Sequence, residues 1–436
     1  MSNQTETPNI LFFFPDQWRF DWVGRNPDIA VRTPNLDQLE KNGVCFPNTV
    51  CPSPVCAPSR ACVAAGTEYD QCPVKGNLDN LPVDYPTVYR ILRDAGYHVM
   101  GCGKFDLNKG TCTSESFAWG VDGQRFLNEW GFSAGINNEG KMDGLRCGRE
   151  EPQGPYFKFL EDRGLREVHV DDFERRKNQA TFPTKLPDDA YCDNWIGQNG
   201  LDLIDSVPDG KPWFLQVNFT GPHSPWDVTE SMTELYKGKE FPPPNKSEQL
   251  TPEHHQEVRQ NYSAMIENID RWTKIYLDKL EERGELENTL IVYTSDHGEM
   301  LGDHNGWDKS KPWHPSVAVP FVISGPGVRK NAKCDLPTTN LDMTATFLDY
   351  AGLETPDGMD SRSLRGLLEG KTDSHREVVL SGLSDWRMAY DGKWKYVEGY
   401  EDSPQLFDLE NDILENNNLA SDSAHAEQVA RLKAWL

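Results

Sequence analysis

The side chains best suited to chemistry fall in short clusters. Asp16 and Gln17 stand together after an apolar run, and Asp296 and His297 stand together after another. These four offer carboxylate and amide oxygens and one ring nitrogen. That donor set suits a hard divalent cation such as Ca²⁺ or Mg²⁺, and the imidazole also accepts Mn²⁺. Cys56-Ala57-Pro58-Ser59-Arg60 places a thiol, a proline and a guanidinium at what reads as a helix start. Taken alone, that pentapeptide is equally well a loop with a buried thiol. Lys104, Asp106, His223 and Lys309 add cations that can face an anionic group, a second carboxylate, and an imidazole that titrates near neutrality.

The elements that must position these residues are legible in the pattern. Residues 9–14 (NILFFF), 97–102 (YHVMGC), 213–219 (WFLQVNF), 289–294 (TLIVYT) and 319–323 (VPFVI) read as buried strands. Helices are expected after Thr33-Pro34, over 86–95, and over 252–283, where Val258, Tyr262, Ile266, Ile269 and Tyr276 recur at helical spacing. The first four strands end at the Asp16, Lys104, His223 and Asp296 clusters, and open α/β sheets build their sites at such carboxyl ends. Residues 120–205 have weak periodicity and read as excursions from the scaffold. Beyond Gly370, short strands at 378–381, 386–390 and 394–397 precede a terminal helix from about 421. The expectation is an α/β fold: a large, mixed, mostly parallel sheet flanked by helices, with a smaller C-terminal α+β subdomain. Residues 1–370 would form the catalytic unit and 371–436 the appendage.

Composition narrows the function. The 436-residue chain carries a net charge of −25, which argues against nucleic acid or an anionic membrane as partner. No apolar run approaches the ~18 residues of a membrane span. Residues 1–9 lack the basic and apolar regions of a signal peptide, so the chain as written reads as cytoplasmic, or as periplasmic or secreted if a signal has been trimmed. The ten cysteines, Cys112 and Cys147 among them, form no CxxC pair and read mostly as small buried hydrophobes.

Cys56-Ala57-Pro58-Ser59-Arg60 matches the Cys-x-Pro-Ser-Arg signature of the type I sulfatases, within the alkaline-phosphatase-like superfamily. "NILFFFPDQ", "GCGKFDL", "GPHSPW", "NTLIVYTSDHGEMLGDH" and "DKSKPWHPSVAVPFVISGPG" resemble the family's other segments in its order, from about residue 8 to 420. The resemblance implies that Cys56 is converted to formylglycine by a formylglycine-generating enzyme. One hydroxyl of the aldehyde hydrate would attack sulfur, and the second would let the hemiacetal expel sulfate by C–O cleavage. Asp16, Gln17, residue 56, Asp296 and His297 would hold the metal, Ca²⁺ first. Arg60 would hold the hydrate, Lys104 and Lys309 the sulfate oxygens, and His223 would protonate the departing alcohol. Gln17 stands where a second Asp is usual, His297 where Asn is common, and Asp106 where a histidine assists hemiacetal breakdown. His314 stands where Glu is frequent. Asn77, His314, Trp226 and Arg387 are the candidate substrate contacts, with Trp307, Trp313 and Trp386 as further wall residues. The substrate expected is a sulfated sugar or oligosaccharide. The alternatives are a phosphonate monoester or phosphodiester hydrolase of the same superfamily, and an inactive binding protein with an unmodified Cys56.

Overall fold

The computed structural model describes residues 7–109, 119–177, 179–401 and 404–436; Cys112 and the first six residues lie outside them. Asn9–Phe13, apolar along its length, becomes a buried strand inside an eight-stranded sheet. The spatial order is Ala134–Asn137, His98–Gly103, Trp213–Asn218, Asn9–Phe13, Thr289–Thr294, Phe321–Ser324, Gly43–Cys45, Ala332–Lys333. From Ala134–Asn137 through Thr289–Thr294 every pairing is parallel. Phe321–Ser324 runs antiparallel to both neighbours, which makes the sheet mixed. The expected α/β class is therefore the observed one.

Alternation along Asn9–Phe13 supplies both layers of the core. Ile10 and Phe12 join residues of the helices Cys56–Ala65, Val88–Asp94 and Met343–Tyr350 on one side. Leu11 and Phe13 join residues of Cys192–Asp205 and the long helix Pro252–Glu282 on the other. Both faces being covered explains why the central strands lack a polar face.

Residues 120–205 depart from expectation. They contribute the edge strand Ala134–Asn137 and the helices Gly140–Gly148, Pro155–Asp162, Arg166–Arg175 and Cys192–Asp205. Glycine masked this. Gly135 sits in the edge strand, and Gly144 lies where a Cβ would come within 2.5 Å of the Phe157 ring, so close packing here selects glycine over an apolar marker.

The C-terminal part is a four-stranded antiparallel meander, Val379–Leu383, Trp386–Tyr390, Trp394–Glu398 and Gln405–Asp408. Val379, Met388, Val397 and Phe407 belong to the same core layer as Ile10 and Phe12. Ala389, Tyr396 and Leu406 face the other way and are covered by Leu432 of the terminal helix Ala426–Lys433. Among the described residues, no helix is long and apolar enough to cross a membrane. Among the described residues eight cysteines are free and buried, whereas Cys147 is disulfide-bonded, a departure from the small-hydrophobe reading.

Candidate active site

The helix Cys56–Ala65 is buried along its whole length. Its small residues permit that, Pro58 falls in the first turn where its missing donor costs nothing, and Gly66 ends it in the left-handed region at φ 69°. Cys56 therefore stands at the positive end of a helix that points into the molecule. Asn77 Oδ1 accepts the Ala57 N–H at 3.0 Å and satisfies one of the free donors there. The Cys56 Sγ lies 3.2 Å from His297 Nε2 and 3.8 Å from Asp16 Oδ1.

Around that sulfur the strand ends converge. Asp16, Cys56, Asp296 and His297, all buried, bring one ligand atom each within 4.8 Å of one another. The His297 Nδ1–H donates to Gly298 O at 3.0 Å, so the Nε2 lone pair faces the cluster, 3.6 Å from a carboxylate oxygen of each aspartate. Two carboxylates, a thiol and a lone pair crowded together in a buried place fit a divalent cation, and no buried structural ion pair needs that arrangement. Gln17 adopts φ 69°, unusual for a residue with a side chain, and is fixed at both backbone groups. Its N–H donates to Asp296 Oδ1 at 3.0 Å, and its carbonyl accepts the Tyr262 hydroxyl at 2.8 Å. The Gln17 side chain amide bonds Glu299, Asp308 and Lys309.

Buried cations balance the cluster. Arg60 donates Nε to Asp296 Oδ2 at 2.9 Å and Nη1 to Lys104 O at 2.9 Å and Asn218 Oδ1 at 3.0 Å. Lys104 pairs with Asp16 and, at 3.1 Å, with Asp106. Burial alone would raise the Asp16 carboxyl, but Lys104, with Arg60 and Lys309, holds it well below the usual carboxylate range. Burial also works against the Lys104 ammonium, yet Asp106 and Asp16 hold it well above its ordinary value. The Asp296 carboxyl is raised by burial despite Arg60, Asp16 being a near like charge.

Lys104, His223 and Lys309 also line a cavity of about 650 Å³ that reaches outward from the cluster, together with Asn77 and Trp226. Lys309 donates to His223 Nε2 and Gln17 Oε1, while the His223 Nδ1–H donates to Ser224 O. Asp106, buried at φ 53°, lies beneath, bonded by Lys104 and by Lys109 at 3.0 Å. Burial raises its carboxyl, and these lysines more than reverse that, so it is held low.

The structure thus brings together Asp16, Gln17, Cys56, Arg60, Asn77, Lys104, Asp106, His223, Trp226, Asp296, His297 and Lys309. It does not bring His314 or Arg387 to this cavity. His314 is buried between the rings of Phe20 (4.6 Å) and Tyr390 (5.8 Å), and burial pushes its imidazole well below its ordinary pKa. Arg387 is paired with Asp70 over the Tyr69 ring, beside a separate cavity of about 160 Å³. Trp307 and Trp313 are stacked on His255 and His304, and Trp386 is buried. Sequence reasoning passed over Glu299, Asp308 and Asn218, which bond Gln17 or Arg60, and Lys109 and Lys141 at the cavity. Glu299 and Asp308 stood beside recognised residues; the two lysines carried no periodic signal.

Comparison with known proteins accords with this geometry. Residues 8–353 match the family described as Sulfatase, and residues 302–436 match the one described as N-sulphoglucosamine sulphohydrolase, C-terminal. An arylsulfatase of Clostridium perfringens is 27% identical, with 98% of this chain and 93% of the relative covered. A choline-sulfatase of Rhizobium meliloti is 28% identical over 99% of this chain and 86% of the relative. Among solved structures, the phosphonate monoester hydrolase of Agrobacterium radiobacter superposes with TM-score 0.80 at 23% identity, covering 98% of this chain and 96% of that one.

Proposed function

The chain belongs to the sulfatase family, sulfuric ester hydrolases, and from that premise we propose that it cleaves the sulfate ester of a sulfated sugar or small oligosaccharide, using a formylglycine formed from Cys56 and a divalent cation, Ca²⁺ first. The observation that carries the reading is the position of Cys56. Its sulfur sits at a helix N-terminus inside the Asp16–Asp296–His297 donor cluster, 3.2 Å from His297 Nε2, where the cavity bounded by Lys104, His223 and Lys309 ends. Asp16, Asp296, His297 and residue 56 would hold the cation, with Gln17 beside them. A cation there would offset the crowded negative charge and polarise a sulfate oxygen. A formylglycine hydrate at position 56 would supply a hydroxyl nucleophile in place of the thiol.

The remaining work falls to side chains already placed. Lys104 and Lys309 are preorganised cations for the sulfate oxygens, where charge accumulates as the ester bond breaks. Lys309 is held between Gln17 and His223, so a sulfate oxygen that takes its N–H releases His223 Nε2. With Nδ1 fixed on Ser224 O, Nε2 is then the ring position able to carry a proton to the departing alcohol. Asp106, kept ionised by Lys104 and Lys109, is suited to hold Lys104 in place, and its lowered proton affinity makes it a weak base for hemiacetal breakdown. Residues 1–370 would carry this chemistry.

The test is the mass of the Cys56 peptide from protein produced with a formylglycine-generating enzyme, followed by turnover of matched sulfate, phosphate and phosphonate esters. Aldehyde at position 56 with preferred sulfate-ester turnover is expected. Preference for phosphonate or phosphate diesters would move the assignment to the sister hydrolases, and a persistent thiol without turnover would leave a binding protein.

A further inference from the structure

The chain is acidic overall, yet the cavity is lined by seven Lys and Arg side chains against three carboxylates. Lys104 and Lys309 adjoin the Cys56 cluster. Arg146, Arg176 and Lys177 do not: they come from the helix Gly140–Gly148 and the end of Arg166–Arg175, in the stretch with no counterpart among the motifs read from the sequence. Arg176 is built as a receptor. Its Nε and Nη2 both donate to Asp172 Oδ2, at 3.1 and 2.9 Å, and its guanidinium lies 4.3 Å over the Phe182 ring. That leaves one edge of the guanidinium, and its Nη1 is buried without a hydrogen-bond partner. The side chain is only 2% exposed. A buried donor on a charged group, held rigidly and left unsatisfied, is costly unless a ligand completes it. Arg146, 68% exposed and 3.2 Å from Asp143, and the exposed Lys177 supply further positive charge at the same cavity.

We infer that Arg176, with Arg146 and Lys177, forms a second anion subsite, and that the substrate carries at least two anionic groups, one cleaved at the Cys56 end and one, a second sulfate or a carboxylate, retained at Arg176. The inference rests on the sulfate-ester reading above. It makes the substrate a polyanionic sugar rather than a simple alkyl or aryl sulfate. It also assigns the 120–205 excursion a recognition role, since both helices that carry the subsite lie there.

The test compares sugars that differ by one anionic group, N-acetylglucosamine 6-sulfate against glucosamine 2-N,6-O-disulfate and N-acetylglucosamine 6-sulfate against its 3-O-lactyl acid, N-acetylmuramic acid 6-sulfate, on wild type, Arg176→Gln and the surface double variant Arg146→Ala/Lys177→Ala. Wild type is expected to favour the dianionic member in kcat/KM, and the ratio is expected to fall roughly tenfold to a hundredfold in Arg176→Gln, the value of one charge-assisted contact. The double variant, which alters exposed positions and leaves the fold undisturbed, is expected to lower the ratio in the same direction. A ratio of one in wild type, or a ratio unchanged in both variants, overturns the subsite. Titration calorimetry of the same sugars on the same three proteins carrying Cys56→Ala in addition reads binding without turnover. Absence of hydrolysis with the dianionic preference intact would refute the esterase reading alone, and equal binding of both sugars would refute the subsite alone. Preference for only one of the two dianionic sugars identifies the retained group as sulfate or carboxylate.

Discussion

Lys395 and Glu415 form an ion pair with no exposed surface on either side chain. Glu415 Oε2 accepts the His314 N–H at 2.6 Å, and Lys395 Nζ also donates to Pro312 O at 2.6 Å. The pair therefore ties the C-terminal meander to the segment that follows Lys309. Burial raises the Glu415 carboxyl and lowers the Lys395 ammonium, each only partly opposed by its partner, so desolvation dominates both. Replacing Lys395 by Met keeps the stem's volume and leaves a carboxylate buried alone, a change that costs about 3–5 kcal/mol in comparable sites. Adding Glu415→Gln removes the stranded charge while keeping an acceptor for the His314 N–H, so the double variant is expected to recover most of that loss. The pH dependence has a definite sign. A carboxyl whose folded pKa is raised contributes stability below its unfolded value of 4.5 that is lost as pH rises through the folded pKa. Without Lys395 that rise is larger, so the Lys395→Met deficit should be wide at pH 8 and narrow as pH falls toward 5. Urea unfolding at both values, with unchanged m, measures it. A single variant within about 1 kcal/mol of wild type would refute the reasoning. So would a deficit independent of pH, or a double variant no better than the single.

Three further outcomes are expected at the site. Dialysis against a chelator should abolish ester hydrolysis, with recovery on adding Ca²⁺, Mg²⁺ or Mn²⁺, and Asp296→Asn should weaken the metal needed for half-recovery at least ~10-fold. His223→Gln should slow a sugar sulfate by roughly 10²–10⁴, yet slow 4-nitrophenyl sulfate much less, because that leaving group needs no proton; equal losses on both esters would remove His223 from the acid role. Lys104→Met should lower kcat by about 10²–10³ with circular dichroism unchanged, and a change confined to KM would show that Lys104 only binds the ground state.

The parallel strands were legible because a sheet covered on both faces writes itself as unbroken apolar runs, as in Asn9–Phe13 and Thr289–Thr294. The site was legible for a related reason. Asp16, Lys104, His223 and Asp296 directly follow those runs, so their convergence is a property of topology. What stayed hidden lies where geometry is set by close approach instead of periodicity. Gly144 against Phe157 and Gly135 against the Gly101 carbonyl leave no hydrophobic mark, and the edge strand and its helices vanished into a stretch that looked irregular. His314 and Arg387 were misplaced for a different reason. His314 follows Lys309 closely in the chain but turns inward to Phe20 and Tyr390, and Arg387, in the C-terminal meander, is held by Asp70.

The pentapeptide at Cys56 has a structural duty of its own. The Ser59 hydroxyl donates to Asp296 O at 2.6 Å, and Arg60 grips Asp296 Oδ2, the Lys104 carbonyl and Asn218 while lying 4.8 Å over the Phe14 ring. These contacts join four strand ends to the helix that carries Cys56. A lysine could reach one acceptor of that set but not all of them, because only a planar guanidinium presents several donors in fixed directions. Ser59 and Arg60 are therefore needed to assemble the donor cluster whatever becomes of the thiol. The clamp also settles the local charge: buried Arg60 and Lys104 offset Asp16 and Asp296, so the other cations of the cavity, Lys309 among them, let an acidic protein present a site that an anion can enter.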